Sequence, residues 1–354
     1  MDANVQELTA KAEKLNIDSE TPKYSTNWCD IPMEMRSECI QRMDFKTKMR
    51  LRGTSRTEKS LVESKKYHFD VVQLKCRYEY SLVTGEQYKK GPEKEEKFRD
   101  FRTSFCHDQD KLLGCLKQVL KYCEIDTFEF VSTRIKDRDE TDWLIELAKH
   151  FAPFRFKNFR SRSRSCSIPD FILMRCAGLE NVFMKFAVGI ELEKFEELLF
   201  SIPSVINAKL CQFRNVYNIK PVFRLIEHWI EKDVEIGKTL QLSTDYSLSD
   251  RIGQPLVDRV ISSNSEPGRE NIRIRTNNDA KHILLKCDKT QKFSWDPFYY
   301  TVTVIPSNLL ESEYEKNDQW VKDVEKADIE EIRCDQTRAF YTSDDSFEYE
   351  YDSD

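Results

Sequence analysis

The sequence predicts an α/β protein in three parts: a short helical unit, a solenoid-like array of helix–strand repeats, and a β-rich cap. Three observations predict it. Between residues 24 and 66, three short amphipathic patterns crowd into roughly forty positions. From Leu112 onward, apolar helix faces alternate with strand-like runs at a period of roughly 26 to 32 residues. Beyond residue 245 the helical period stops, and apolar runs separated by turn residues replace it.

Residues 1–23 are polar, with only a weak stripe of Val5, Leu8 and Leu15, and are expected to be a flexible lead-in. The helical unit follows. Ile31-Pro32 opens its first helix, because proline at the first helical position lacks only an N–H that would be unpaired there anyway. Met35, Ile40 and Met43 form one stripe, Phe45, Met49 and Leu51 a second. Thr57 precedes a third short helix carrying Leu61 and Val62. Three helices this short cannot bury their apolar faces among themselves, so part of that surface is expected to belong to another protein.

At these residues the segment 24–66 resembles an F-box. Ile31-Pro32 stands where the family has Leu-Pro, and Met35, Ile40, Met43, Met49 and Leu51 supply the spaced hydrophobic positions. More narrowly, MRLRGTSRTEKSLVESKK resembles the F-box of the large nematode-expanded F-box families, whose C-terminal half is a poorly characterised domain. RTNNDAKHILL and VIPSNLLESEY resemble the C-terminal part of those proteins. The resemblance implies that Ile31, Pro32, Met35, Ile40, Met43, Met49 and Leu51 dock on a Skp-type adaptor, which joins the chain to a cullin. It further implies the substrate-recognition subunit of an SCF ubiquitin ligase, with the remainder of the chain binding a target protein and performing no chemistry; the isolated cysteines and an N-terminus lacking a signal-peptide apolar segment lead us to expect a cytoplasmic or nuclear protein.

The repeat-like region spans 67–245. Phe69–Leu74 and Arg77–Val83 read as strands, and the charged stretch 84–99 as a loop. Leu112, Leu113, Leu116, Val119, Leu120 and Cys123 make a clean helix face. Later helix faces are carried by Trp143–Phe151, Ile168–Cys176, Leu192–Leu199 and Val222–Ile230. Phe128, Phe156, Val182, Ala208 and Leu240 are read as equivalent strand positions. The alternation suits a divergent leucine-rich-repeat-like α/β solenoid, although the strict consensus with its asparagine ladder is missing. A doubly wound α/β domain is the competing reading, but no glycine-rich phosphate loop follows any strand.

Residues 246–334 read as the β-rich cap, with strands at Ile272–Arg275, His282–Cys287 and Tyr299–Ile305, and a charged helix over Ser312–Lys326 carrying Trp320, Val321 and Val324. Residues 335–354 form an acidic tail, expected to be disordered. Seven carboxylates against Arg338 give that tail the chain's entire formal charge of −6, so the rest is near neutral. That balance argues against a dedicated nucleic-acid protein, and no apolar run is long enough for a membrane helix.

Eleven cysteines form no CxxC pair, and the five histidines are far apart; neither a disulfide framework, a metal site nor a cofactor is expected. No GxSxG, HExxH or Walker motif occurs. Arg160–Ser165 is the single basic run with a possible message, read as a solvated loop after a strand at Phe154–Lys157. The competing function is a repeat scaffold that binds RNA phosphates through that loop, or proteins, independently of ubiquitination.

Overall fold

The computed structural model describes residues 27–76, 80–88, 97–105, 109–132, 142–163, 167–245, 254–266, 268–289 and 298–317. The lead-in 1–23, the acidic tail 335–354, Arg164, Ser165 and the expected helical positions Trp320, Val321 and Val324 lie outside the described residues. The chain divides into two compact units, Met1–Tyr67 and His68–Asp354.

The first unit is a 3-10 turn, Trp28–Asp30, then α1 (Met33–Arg42), α2 (Phe45–Arg52) and α3 (Arg56–Glu63). Side chains cap the 3-10 turn, α2 and α3, but not α1. Asn27 accepts from the Cys29 N–H (3.2 Å), Asp44 from the Thr47 N–H (2.8 Å), and Ser55 from the Glu58 N–H (3.1 Å). Two expectations shift. Pro32 is the N-cap of α1 rather than its first helical residue, and Thr57, expected to precede the third helix, lies within α3, which Ser55 caps. Ser55-Arg56-Thr57-Glu58 has the capping-box spacing, but the Glu58 side chain turns away to Arg36 instead of closing the box.

The second unit holds one twelve-stranded mixed sheet in the order β3-β2-β1-β4-β5-β6-β7-β8-β12-β11-β10-β9. Its first strands are β1 (Tyr67–Cys76), β2 (Tyr80–Tyr88) and β3 (Lys97–Phe105), an antiparallel meander. Here the expected loop 84–99 is corrected: strand pairing runs through Tyr88 on one side and resumes at Lys97 on the other, because cross-strand hydrogen bonds satisfy backbone groups whatever charge the side chains carry. Next come α4 (Gln109–Tyr122), β4 (Cys123–Ser132), α5 (Asp142–Phe151), β5 (Phe156–Ser163), α6 (Ser167–Leu173) and β6 (Asn181–Ile190). After them follow α7 (Leu192–Ser201), α8 (Pro203–Asn207), β7 (Leu210–Val216), α9 (Lys220–Glu231) and β8 (Thr239–Thr244). The strands β4 to β8 are parallel neighbours in chain order, each reached through helical crossovers. A doubly wound sheet reverses its order at a switch point; these five strands do not.

Register corrects the expected repeat positions. The row that crosses the sheet is Phe128, Phe159, Val182, Cys211 and Leu240. Phe156 instead pairs with Ile125, and Ala208 precedes β7. Val205-Ile206, which run into the expected strand position Ala208, belong to α8, where Pro203 at the first helical position favours a helical turn. The row is buried on the helix-covered face: Phe159, Val182 and Leu240 are fully enclosed, and Phe195 of α7 meets Phe213 of β7 edge-on at 5.4 Å.

Beyond β8 lie α10 (Gln254–Val257), β9 (Val260–Glu266), β10 (Arg269–Arg275), β11 (Lys281–Lys289) and β12 (Phe298–Pro306). They extend the same sheet, β12 pairing antiparallel with β8, and β9 is an edge strand that its polar sequence concealed. Within the expected helix 312–326, the described part lies in a 3-10 helix, Glu311–Asn317. Arg273 ties that segment to the sheet, donating to the carbonyls of Ser307 and Leu309 and to the Tyr314 hydroxyl.

Asp170 in α6 is buried, with Lys194 Nζ 3.7 Å from Oδ2 and no hydrogen bond to Oδ1. Burial pushes its carboxyl up to about 6, against the pull of Lys194. The folded protein therefore holds an extra proton between about pH 4 and pH 6, and stability falls as pH rises through that window. Asp170→Asn is expected to stabilise the protein at pH 7 by up to about 2–3 kcal/mol and to flatten that pH dependence. Thermal melts of both proteins from pH 4.5 to 7 check it; parallel curves would refute it.

Candidate adaptor-docking site

The seven residues expected to meet an adaptor do not share one environment. Along the start of α1, Pro32 is exposed, Ile31 is half-buried, and Met35 keeps 58% of its surface in solvent. Met33, absent from the expected set, is 53% exposed beside them. Ile40 is the opposite case: at 5% exposure it belongs to the interior of the helical unit. Met43, Met49 and Leu51 are half-buried. The spacing of hydrophobic residues marks both groups alike, and only the packing separates an internal isoleucine from exposed methionines.

The unit is pinned by charge as well as by apolar contact. Arg36 of α1 donates to Glu58 of α3 at 3.1 Å, with side chains 13% and 5% exposed. Their second atoms, Arg36 Nε and Glu58 Oε2, are buried without hydrogen-bond partners, and so is Trp28 Nε1. On the other side Arg52 of α2 pairs with Glu63 of α3 at 2.7 Å. Phe45 and Lys48 of α2 close on the Tyr67 ring, at 5.7 Å between ring centroids and 4.4 Å from Nζ to the centroid. These cross-helix partners were missed in the sequence, where the capping-box glutamate alone hinted at Glu58.

A second surface lies on the sheet face opposite the buried row. The run read as a solvated loop at Arg160–Ser165 is, over its described part, the end of β5. Its alternation is the period of a strand: Ser161 and Ser163 point to the buried face, while Arg160 and Arg162 are exposed. Arg160 lies beside Phe183 of β6, its guanidinium 5.3 Å from the ring centroid. Arg162, Lys185 and Arg214 are register partners on β5, β6 and β7, so three cationic side chains stand in one row. Beyond the Arg160–Phe183 row, Asn181 donates to Asn158 at 2.6 Å, and Asn158 donates to Thr127 at 3.1 Å. This short side-chain ladder was invisible because its members sit at unequal spacing in the sequence.

The described residues also bring His68, Asp70 and Asp126 together, their ligand atoms within 4.8 Å of one another. His68-x-Asp70 is a spacing that the sequence reading passed over. Lys157 already occupies Asp126 at 2.7 Å, and that carboxylate raises the lysine's pKa, so the cluster carries its own cation. The thiols of half-buried Cys176 and of buried Cys211 and Cys287 are pushed up to about 12, 12 and 11 by desolvation and stay protonated. Among the described residues no helix is long and apolar enough to cross a membrane.

Comparison with known proteins gives this geometry its class. Residues 28–70 match the F-box domain family, so the chain carries an F-box domain there. F-box domains bind Skp-type adaptors and through them cullin, and such a domain suggests a substrate-adaptor role in an SCF ubiquitin ligase. No curated protein matches the chain. Two solved structures are similar at a low level. An S-adenosylmethionine-dependent methyltransferase from Clostridium acetobutylicum is 10% identical over 59% of this chain and 78% of its own, with a TM-score of 0.13. An amino pentose methyltransferase from Micromonospora echinaspora is 8% identical over 58% and 79%, also with a TM-score of 0.13. At that score neither superposition defines a shared fold.

The Arg36–Glu58 pair makes a direct prediction. Glu58→Ala leaves a buried guanidinium without its partner and is expected to destabilise the helical unit by about 2–3 kcal/mol, whereas Arg36→Met/Glu58→Leu together recovers most of the loss. Native-state hydrogen exchange over residues 33–63 of the full chain reads this; unchanged protection in Glu58→Ala would show the pair to be dispensable.

Proposed function

We propose that this chain is the substrate-recognition subunit of an SCF cullin-type ubiquitin ligase, belonging to the nematode-expanded F-box families. The observation that carries the reading is the F-box match over residues 28–70 together with two exposed methionines, Met33 and Met35, at the start of α1. Isolated large apolar residues are common on surfaces, but here two of them stand next to exposed Pro32 and half-buried Ile31. Docking uses Ile31, Pro32, Met33 and Met35 directly. Met43, Met49 and Leu51 contribute from their partly open positions, and Ile40 acts by holding the helices together. The chain catalyses nothing itself; it raises the local concentration of a target near the ligase.

The target is held by the sheet unit, read as a divergent leucine-rich-repeat-like solenoid because β4 to β8 follow one another in chain order. Its docking surface is the face opposite the buried row, and its partner is an acidic segment of a target protein. The support is charge complementarity. Arg160, Arg162, Lys185 and Arg214 stand on neighbouring strands about 4.8 Å apart, where opposed charges on a bound segment would be met repeatedly.

Two measurements test this. In a titration of full-length chain with the adaptor, Met33→Asp/Met35→Asp is expected to weaken binding by on the order of 100-fold or more, since each methionine buried contributes about 1.5–3 kcal/mol. Unchanged affinity in a variant that keeps its helical circular dichroism removes α1 from the interface. For the target face, a fluorescent glutamate-rich peptide is expected to bind the full chain and to lose binding in Arg160→Glu/Arg162→Glu. A uridine oligonucleotide that binds instead, with a steep salt dependence abolished by the same change, would replace the acidic-target reading with the RNA one.

A further inference from the structure

The helices α7, α8 and α9 and the strands β7 and β8 surround a cavity of about 390 Å³, within the range of roughly 300–1,000 Å³ typical of small-molecule pockets. Its floor is Cys211 and Leu240, two members of the buried row, with Val205, Leu225 and Trp229 as walls, all of them buried. The rim has a different character. Lys238 and His228 are half-buried there and Lys232 is exposed.

Lys238 is the group that sets the chemistry. Its ammonium donates to the Ile206 carbonyl and lies 6.0 Å from the Trp229 ring centroid. It has three protons to donate, and among the described residues no carboxylate forms an ion pair with it. Desolvation lowers its pKa, opposed by Cys211 and by Glu235, which marks a cation at the edge of an apolar space without a close counter-ion. Cys211, held as a thiol by burial and donating to the Val205 carbonyl at 3.5 Å, supplies surface rather than a nucleophile. The arrangement is amphipathic in one direction, with an apolar floor and a cationic rim.

We propose that this cavity is a binding site for a small organic carboxylate with an apolar tail, the tail lying on Cys211, Leu225, Leu240 and Trp229 and the carboxylate paired with Lys238. A polar ligand would leave its buried end without hydrogen-bond partners on this floor. An amine would meet the rim cations, and a neutral alcohol would leave the Lys238 charge unanswered. A bound monocarboxylate satisfies both ends. The site would be separate from both docking surfaces described above, and it stands whether or not the ligase reading does.

The test uses the full-length protein and sodium octanoate, with octanol and octylamine as probes of the same tail and a different head. Octanoate is expected to bind with a saturable calorimetric signal and to raise the melting temperature, octanol to bind at least tenfold more weakly, and octylamine to give no saturable signal. Lys238→Met should erase the preference for octanoate over octanol, and Lys238→Arg should restore it. Absence of saturable octanoate binding at millimolar concentration overturns the proposal, as does equal octanoate affinity in wild type and Lys238→Met, or equal affinity of wild type for octanoate and octanol. No adaptor enters the measurement, so its failure leaves the docking surface on α1 untouched.

Discussion

Phe128, Phe159, Val182, Cys211 and Leu240 lie side by side on five neighbouring strands, and the helices that link those strands cover them. A parallel pair needs a crossover, and the crossover is stable only when its helix buries an apolar face against the sheet. The row meets that requirement repeatedly. Leu112, Leu116 and Val119 of α4, Phe195 and Leu198 of α7, and Leu225 and Ile226 of α9 are buried by it or beside it. The antiparallel strands at both ends extend the same hydrogen-bonded plane, so even the β-rich C-terminal part depends on β8 as its template.

One consequence is that the two faces of the sheet diverge in chemistry. Side chains alternate along a strand, so burying Ser161 and Ser163 with the core obliges Arg160 and Arg162 to face out. Register then places Lys185 and Arg214 beside Arg162. A row of cationic side chains results, with Glu129 beside Arg160, from residues that a linear reading has no reason to group. The helix-covered side carries the cavity, which lies over buried Cys211 and Leu240 between α7, the five-residue α8 and α9.

The helical unit works on a different scale. Three helices of ten, eight and eight residues cannot enclose a full core, and Ile40 and Val62 are the buried apolar residues among those described in it. Capping side chains and the Arg36–Glu58 pair supply order that burial does not. Helices held in this way leave apolar surface at Met33 and Met35, which is what a module that completes its core with a partner requires.

Much of this was readable from residue order alone. The apolar period of α4 and α9 placed those helices, alternation placed β10 to β12, and Ile31-Pro32 with its spaced hydrophobics marked the F-box. These are local signals, carried by residues within one or two turns of each other. The strand at Arg160, the pairing of the charged stretch near Glu86, the helix at Val205, and the row through Phe159 rather than Phe156 were decided by tertiary structure. In each case local propensity was weak, and a neighbouring strand or a buried surface supplied the deciding free energy. The same division holds in the helical unit: sequence chose methionine and isoleucine, but whether each met solvent or core followed from how three short helices packed.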